Sequence, residues 1–174
     1  MKMLEFPELK QSSNYDCGAI VIQGILNYYG IDIREDFILK EAKTTINGTP
    51  IKSIIQILQK HKIKCIAKEM TINDLINYID KNIPVIVHLQ AYWKKKNVNW
   101  KITYESGHYA IVIGYDSQRI YFEDPFTLER TFLKNNDLLE RWHGMSDDNK
   151  KVKMFAIAAI GKKINNYKKI IKMK

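Results

Sequence analysis

The hydrophobic pattern of this chain changes its period midway, and that change constrains the fold more than any other feature. In the first third, apolar residues recur at helical spacing over Asp16–Tyr29, Arg34–Lys43 and the stretch IKSIIQILQKH. From residue 64 onward, short apolar runs typical of strands dominate: KCIAKEM, PVIVHLQ, HYAIVIGY, RIYFEDP and MFAIAAI. Helices followed by mostly adjacent strands predict an α+β fold with an antiparallel sheet.

Local signals predict where the helices begin. Ser13 or Asn14 is placed to cap the first helix, and Thr49 stands before the third, whose first residue follows a proline. Thr71 and Asp74 have the spacing of a capping box, which predicts a further helix over TINDLINYIDKN. A short helix, NDLLERW, is expected before the last strand. The polar and aromatic segment AYWKKKNVNWKITYESG is expected to form a long loop or an exposed hairpin.

The positive charge of the chain is confined to its C-terminal end. The net charge is +9, and residues 150–174 contain nine lysines and no acidic residue. The other 19 basic residues balance the 19 acidic ones, so the body is formally neutral and is not expected to bind nucleic acid. We therefore predict one domain over residues 1–161, which is long enough to bury its own core, followed by a basic tail over 162–174.

Two interpretations of the tail remain open. It is expected to be a solvated, frayed end that adds charge. Alternatively, Ile164, Tyr167 and Ile171 would line one side of a short helix with lysines around the rest, which permits weak contact with an anionic membrane or an acidic partner.

Cysteine content and hydropathy point to a reducing compartment. Cys17 and Cys65 stand in unrelated contexts, and neither belongs to a C-x-x-C pair of the kind seen in zinc sites. The histidines also lack metal-site spacing, so no metal and no organic cofactor is predicted. The N-terminus lacks the apolar core of a signal peptide, and no apolar run reaches the roughly 18 residues of a membrane span. We expect a soluble, cytoplasmic protein.

Cys17 is the first candidate functional residue. It falls in the first turn of the predicted helix, where unpaired N–H groups and the helix dipole favour a thiolate over a thiol. Gly18 follows it and would allow backbone or substrate to approach closely. A lone buried cysteine is more often structural, so the assignment depends on a base elsewhere in the chain.

His108 is the best candidate for that base. His61 is expected to be solvated at a helix end, and His143 is expected in a turn. His88 lies in an apolar strand, where a satisfied core or strand-end histidine is the ordinary interpretation. His108 opens a strand directly after Gly107, so its ring is expected at a strand end beside a loop.

The acidic partner of His108 depends on a turn length. If residues 116–118 form a three-residue loop, Ala110 pairs with Asp124, and Asp124 and His108 share one face of the sheet. A two-residue turn would favour Glu123 as the acid on that face.

Together these residues resemble a known family. The motifs QSSNYDCGA, NYYG, GHYAIVIGY and FEDP, in that order, are similar to the double-glycine leader peptidases, papain-like cysteine peptidases that trim bacteriocin precursors beside export transporters. The similarity spans about residues 8–145. It implies that Cys17 is the nucleophile, that His108 is the general base and acid, and that Asp124 orients His108. It also implies that Gln11 and the Cys17 N–H donate to the oxyanion hole.

The resemblance implies a papain-like fold and a peptidase activity, most simply cleavage after a Gly-Gly junction in the leader of a small precursor. The chain would be a stand-alone member, with a leader peptide as substrate and an export transporter as a candidate partner at the inner face of the membrane. The alternative is a catalytically inactive module that binds peptides in the same groove. Transfer of the acyl group to an amine instead of water uses the same intermediate and stays open.

Aromatic residues supply candidates for the walls of a substrate groove. Tyr92, Trp93, Trp100 and Tyr104 lie in the long loop, and Trp142 comes after the strand that ends at Asp124. The alternative is that these side chains cap the core or brace the loop.

Overall fold

The structure, a computed structural model, describes residues 1–93 and 97–163. Within these ranges the chain forms five α-helices: α1 (Cys17–Tyr28), α2 (Glu35–Glu41), α3 (Ile51–Lys60), α4 (Ile72–Asp80) and α5 (Asn135–Arg141). It also forms nine strands: β1 (Lys2–Met3), β2 (Lys64–Glu69), β3 (Val85–Gln90), β4 (Gly107–Tyr115), β5 (Arg119–Glu123), β6 (Thr131–Lys134), β7 (His143–Met145), β8 (Lys151–Lys153) and β9 (Phe155–Ile160).

The main sheet is antiparallel, and its order is β2-β9-β3-β4-β5-β6, with β1 beside β4. Strands β3 to β6 follow one another as neighbours, whereas β9 returns from the end of the chain and inserts between β2 and β3. β7 and β8 form a separate two-stranded hairpin. The predicted α+β fold with an antiparallel sheet is confirmed, and β1, β6, β7 and β8 are strands that the sequence pattern did not indicate.

Helix α1 is the central helix of the core. Nearly all of its residues are buried, which explains why its apolar pattern runs almost all round the helix instead of forming one stripe. It packs closely against the sheet, because a Cβ on Gly24 would stand 2.4 Å from Leu9 and 3.2 Å from Ile111 of β4. This packing fixes the start of α1, and therefore Cys17, relative to β4.

The expected caps are partly corrected. The residue before α1 is Asp16, not Ser13 or Asn14, and its carboxylate folds back over the preceding loop to accept hydrogen bonds from Ser12 and from the Ser13 N–H. The capping box of α4 is confirmed: the Thr71 hydroxyl accepts from the Asp74 N–H, and the Asp74 carboxylate accepts from the Thr71 N–H.

Helix α3 is capped from far away in the sequence. The two carboxylate oxygens of Asp147 accept hydrogen bonds from the N–H groups of Ile51 and Lys52, at 2.7 and 2.9 Å. Thr49, the expected cap, instead pairs its hydroxyl with that of Thr44. A carboxylate at a helix N-terminus satisfies two unpaired donors and complements the helix dipole, so Asp147 ties the loop after β7 to the helical layer.

The predicted amphipathic helix at the end of the tail, with Ile164, Tyr167 and Ile171, lies outside the described residues. In the part of the chain that the structure describes, no helix is both long enough and apolar enough to cross a membrane.

Candidate active site

The turn between β4 and β5 has two residues. Tyr115 pairs with Ile120, so the turn itself holds only residues 117–118. Of the two alternatives left open by the sequence, the structure shows the shorter turn. However, a β-bulge between Val112 and Gly114 adds one residue back to β4 and shifts the register beyond it.

The bulge decides which acid faces His108. Beyond it, Ile111 pairs with Glu123, the register that a three-residue loop would have given. Asp124 follows directly, and its Oδ1 lies 2.8 Å from His108 Nε2, with both side chains buried. The structure therefore brings Asp124 and His108 together as predicted, although by a different local geometry.

Glu123, the alternative acid, serves another purpose. Its carboxylate accepts a hydrogen bond from the Leu9 N–H at 3.1 Å and lies 3.4 Å from Arg130 Nε. Arg130 also donates to the carbonyl of Phe6. Glu123 thus holds the N-terminal segment against the sheet. The carboxylate that contacts His108 is that of Asp124.

Asp124 accepts four hydrogen bonds, which fix both of its oxygens. Oδ1 accepts from His108 and from the Phe126 N–H at 3.0 Å. Oδ2 accepts from the hydroxyls of Tyr92 at 2.5 Å and Thr131 at 3.1 Å. Burial raises the pKa of Asp124, but the hydrogen bonds from His108 and Tyr92 and the charge of His108 outweigh it, so the pKa lies below its ordinary value.

Cys17 lies on the other side of His108. Nε2 of His108 lies 2.8 Å from the Asp124 carboxylate, and Cys17 is near enough to His108 to raise its pKa. Because Nε2 faces the carboxylate, Nδ1 is the nitrogen left for the thiol. Burial by itself lowers the pKa of His108, but its interactions with Asp124 and Cys17 raise it above the ordinary value. A histidine held in this way can carry a proton beside a thiolate.

Gln11 precedes this arrangement in a loop that touches both layers. Its backbone N–H donates to the carbonyl of Pro125 at 2.7 Å, which joins the loop to the residue after Asp124. Its side-chain Nε2 donates to the carbonyl of Ser13 at 2.6 Å, and its buried Oε1 has no hydrogen-bond partner within residues 1–93 and 97–163. One of the two N–H bonds of the amide is therefore held within the loop, and the second remains as a donor.

Comparisons with known proteins agree with this geometry. The model of the peptidase C39 family matches residues 5–146, which include Gln11, Cys17, His108 and Asp124. This chain belongs to the peptidase C39 family.

The chain is also similar to individual members of this cysteine peptidase family. It is 25% identical over 139 residues to the transport/processing ATP-binding protein ComA of Streptococcus pneumoniae, a match that covers 78% of this chain and 17% of ComA. It thus spans about a sixth of the length of that relative.

Solved structures show the same fold. The peptidase domain of Streptococcus ComA superposes with a TM-score of 0.66 at 21% identity, over 88% of this chain and 97% of that domain. A double glycine motif protease from an AMS/PCAT transporter, solved in complex with the leader peptide, gives a TM-score of 0.65 at 12% identity, over 92% and 95% of the two chains. The papain-like fold predicted from the motifs is thus confirmed.

The aromatic residues expected in a groove do not all lie together in this C39 domain. Trp142 is 1% exposed, and its indole N–H donates to the carbonyl of Phe155 at 2.9 Å, so its expected place in a substrate groove is wrong. Trp93 and Tyr104 line one cavity of about 320 Å³ at the surface of the long loop. Trp100 lies under the guanidinium of Arg141, 4.0 Å from the ring centroid.

Two histidines outside the site differ from expectation. His143 lies buried in strand β7 and not in a turn, and its Nε2 lies 2.7 Å from the carbonyl oxygen of Trp100. His88 lies in β3, as expected, but its buried Nδ1 has no hydrogen-bond partner among the described residues, so it is not a fully satisfied core histidine. Burial, together with the nearby charges of His108 and His143, lowers the pKa of His88 to about 4. Among the described side chains no group of three or more His, Cys, Asp or Glu is placed to hold a metal ion.

Two partners of Asp124 were not predicted from the sequence. Tyr92 was expected only as an aromatic wall residue, and Thr131 lies in β6, a strand that the sequence pattern did not predict. The segment RTFLK does not alternate apolar and polar residues, so it gives little strand signal, and the structure places Thr131 opposite Phe122 of β5. No local pattern indicates that the Tyr92 hydroxyl turns back toward Asp124.

Proposed function

We propose that this chain hydrolyses a peptide bond by thiolate attack from Cys17, with His108 as the general base and acid, Asp124 as its positioning residue and Gln11 as an oxyanion donor. The observation that carries the proposal is the buried group formed by the His108–Asp124 hydrogen bond and the neighbouring Cys17, assembled from α1, β4 and the end of β5. The order nucleophile, base and orienting acid is that of acyl-transfer enzymes with an activated nucleophile.

In the first half of the reaction, the Cys17 sulfur attacks the carbonyl carbon and forms a C–S bond. The proton held on His108 passes to the leaving nitrogen as the C–N bond breaks, and the amine departs. In the second half, His108 takes a proton from water, whose oxygen attacks the thioester carbon. The acid product leaves, and Cys17 regains its original state as a thiolate beside protonated His108.

The oxyanion is stabilised at the start of α1. The Cys17 N–H lies in the first turn, where N–H groups lack acceptors within the helix. The free N–H of the Gln11 amide supplies the second donor, because the loop that carries it is tied to Pro125 on one side and to Asp16 on the other. Losing one such donor typically costs about 100- to 1,000-fold in kcat.

We infer that the substrate is the leader of a small precursor, cleaved after a Gly-Gly junction. Support comes from the family and from the structural similarity to a double glycine motif protease solved with a leader peptide. The curated relative is a transport/processing protein, so an export transporter at the cytoplasmic face of the membrane is the partner we propose. The basic tail over 162–174 is proposed to lie outside the catalytic domain.

The direct test is product analysis by mass spectrometry with leader peptides that carry Gly-Gly, Gly-Ala or Ala-Ala before the cleavage position. We expect one cut after Gly-Gly, slower cutting of the alanine variants, and no cut with the Cys17→Ala protein. A product bonded to an added amine would indicate acyl transfer. Tight binding of the leader without any cut by the unaltered protein would contradict the proposal and indicate an inactive binding module.

We propose that the long loop contributes to leader binding through Trp93, Trp100 and Tyr104. Replacing Trp93 and Trp100 by alanine should raise KM for the full leader about tenfold while leaving alkylation of Cys17 unchanged, because buried aromatic anchors dominate peptide recognition. Phe132→Ala, at an exposed ring on β6, is the control for loss of surface aromatic area. Unchanged KM in the folded double variant would show that the loop aromatics serve the structure alone.

A further inference from the structure

Tyr92 is the second residue of the long loop, and several independent contacts hold it at the candidate active site. Its hydroxyl donates to Asp124 Oδ2 at 2.5 Å. Its ring stands edge-on to the ring of His108, with 5.3 Å between centroids, and stacks on Phe126 at 3.9 Å. One side chain thus touches both members of the His–Asp pair and the residue that donates its N–H to the same carboxylate.

The backbone of Tyr92 has an unusual conformation. Its φ is 58°, in the left-handed region that a bulky residue seldom adopts. Such a conformation persists where the surroundings determine it, and it is found at sites where a side chain must be aimed. Here it occurs two residues after the end of β3, and the ring lies against His108 at the start of β4.

We propose that Tyr92 is a positioning residue that locks the Asp124 carboxylate toward His108 and covers the pair from water. The inference rests on the proposed function of Cys17, His108 and Asp124. Without the Tyr92 hydroxyl, Thr131 is the donor left to Oδ2 among the described residues, and the carboxylate gains freedom to rotate away from His108. Without the ring, one edge of the His108 imidazole opens to solvent.

The electrostatic surroundings set the direction of the expected effect. The groups that face the Asp124 carboxylate are His108, Tyr92 and the Thr131 hydroxyl, and Arg141 lies close enough to act on Tyr92. Donation from Tyr92 helps to keep the pKa of Asp124 low. Without this hydrogen bond the pKa of Asp124 rises. As the pH falls, Asp124 is then protonated, and stops supporting protonated His108, at a higher pH than in the unaltered protein.

The chain contains a matched control. The hydroxyl of Tyr121 donates to Asp116 Oδ2 at 2.7 Å, and its ring lies 6.0 Å from that of Phe132. This is the same Tyr–Asp bond beside an aromatic ring, at the β4–β5 turn and away from Cys17. Tyr92→Phe and Tyr121→Phe therefore remove equivalent bonds at two places.

The experiment measures leader cleavage and the alkylation of Cys17 by iodoacetamide as functions of pH. For Tyr92→Phe we expect kcat to fall about tenfold with KM unchanged, since the bond lost is one to a charged group. The acid limb of the alkylation profile should move to higher pH. Tyr92→Ala should lower kcat further, and Tyr121→Phe should change neither quantity. Thr131→Val removes the other donor to Oδ2 and should move the acid limb in the same direction.

An acid limb that stays in place in both Tyr92→Phe and Thr131→Val would overturn the positioning role. A rise in KM with unchanged kcat would also overturn it, because Tyr92 would then contact substrate. If Tyr92→Phe does not fold, Thr131→Val with an unmoved acid limb overturns the proposal by itself. If Cys17 of the unaltered protein shows no acid limb at all, the proposed catalytic pair fails together with the inference.

Discussion

His88 and His108 lie on neighbouring strands, yet their surroundings shift their pKa values in opposite directions. Tyr109 of β4 pairs with His88 of β3, while His108 pairs with Leu89, so the two imidazoles project from opposite faces of the sheet. His88 stacks on Tyr109 with 4.6 Å between centroids and keeps an unpartnered Nδ1. His108 has Asp124 on one nitrogen and faces Cys17 with the other.

The difference shows what burial alone does to a histidine. At His88 burial dominates and lowers the pKa to about 4, so the ring is neutral near pH 7. Burial also acts to lower the pKa of His108, but the Asp124 carboxylate and the Cys17 thiol raise it above its ordinary value. A proton-carrying base in this sheet therefore requires the acceptor, and the bulge in β4 is what supplies that acceptor.

The largest expected difference in kcat/KM is between substitutions of these two histidines. We expect His108→Ala to lower kcat/KM about 100- to 10,000-fold, because it removes general base and acid catalysis. His88→Leu should keep activity within about fivefold, since it replaces a neutral ring by a side chain of similar volume. Both are measured by leader cleavage, with thermal unfolding to confirm folding. Equal losses in two folded variants would show that His88 also takes part in the reaction.

The pH dependence of stability should reveal the neutral state of His88. Its pKa is lowered to about 4 in the folded protein, while the unfolded chain takes up a proton near its ordinary value. The free energy of unfolding should therefore fall as pH drops from about 6.5 to 4, by about 3 kcal/mol from this group. Urea unfolding at several pH values checks this. The decline should be shallower in His88→Leu, and an identical slope would contradict the assignment.

The two cysteines extend the comparison to reactivity. Burial raises the pKa of the Cys65 thiol to about 11, so it is almost wholly protonated at neutral pH. Cys17, although 7% exposed, has His108 and a helix N-terminus to support its anion. Iodoacetamide should label Cys17 at least about tenfold faster than Cys65 at pH 7.

The same labelling experiment tests the acid. Asp124→Asn should slow the labelling of Cys17 and leave Cys65 unchanged, whereas His88→Leu should affect neither. Equal labelling of the two thiols in the folded protein would count against the Cys17–His108 pairing. Peptide mapping by mass spectrometry identifies each labelled cysteine.

The smallest effect is expected at the loop after β7. Asp147→Ala removes two hydrogen bonds to the start of α3 and should lower stability by about 1 kcal/mol, in the range of a helix cap. Asp148→Ala is the matched control at the neighbouring exposed position. Activity should remain within about twofold, because Asp147 contacts backbone of the helical layer. A strong loss of activity without loss of stability would place this loop in the site.

Strong periodic patterns were sufficient to predict the main helices and strands. The order of elements and the capping box at Thr71 followed from spacing and alternation. Alternation alone left Asp124 and Glu123 open as the acid beside His108, and the resemblance selected Asp124. The Gly-Gly preference and the role of Gln11 rested on resemblance, since no local pattern in the chain contains them.

The errors share a physical cause, which is that long-range partners override local signals. Asp147 displaces Thr49 as the cap of α3 from nearly a hundred positions away. A bulge inside β4 compensates for the two-residue turn. Trp142 follows a short helix and looked exposed, yet β9 covers it and accepts its N–H. None of these contacts leaves a trace in the neighbouring sequence.

The loop from Gln11 to Asp16 has a consequence for engineering this domain. At one end the Gln11 N–H donates to the Pro125 carbonyl beside the sheet. At the other end Ser12 and the Ser13 N–H donate to the Asp16 carboxylate at the start of α1. It is therefore a link of fixed length between the two layers that supply the acid and the nucleophile. A single glycine inserted within it would change the spacing across the cleft, whereas the same insertion at Ser117 would lengthen a turn beyond the bulge. Tolerance of added residues should thus be unequal at these two loops, although both lie at the surface.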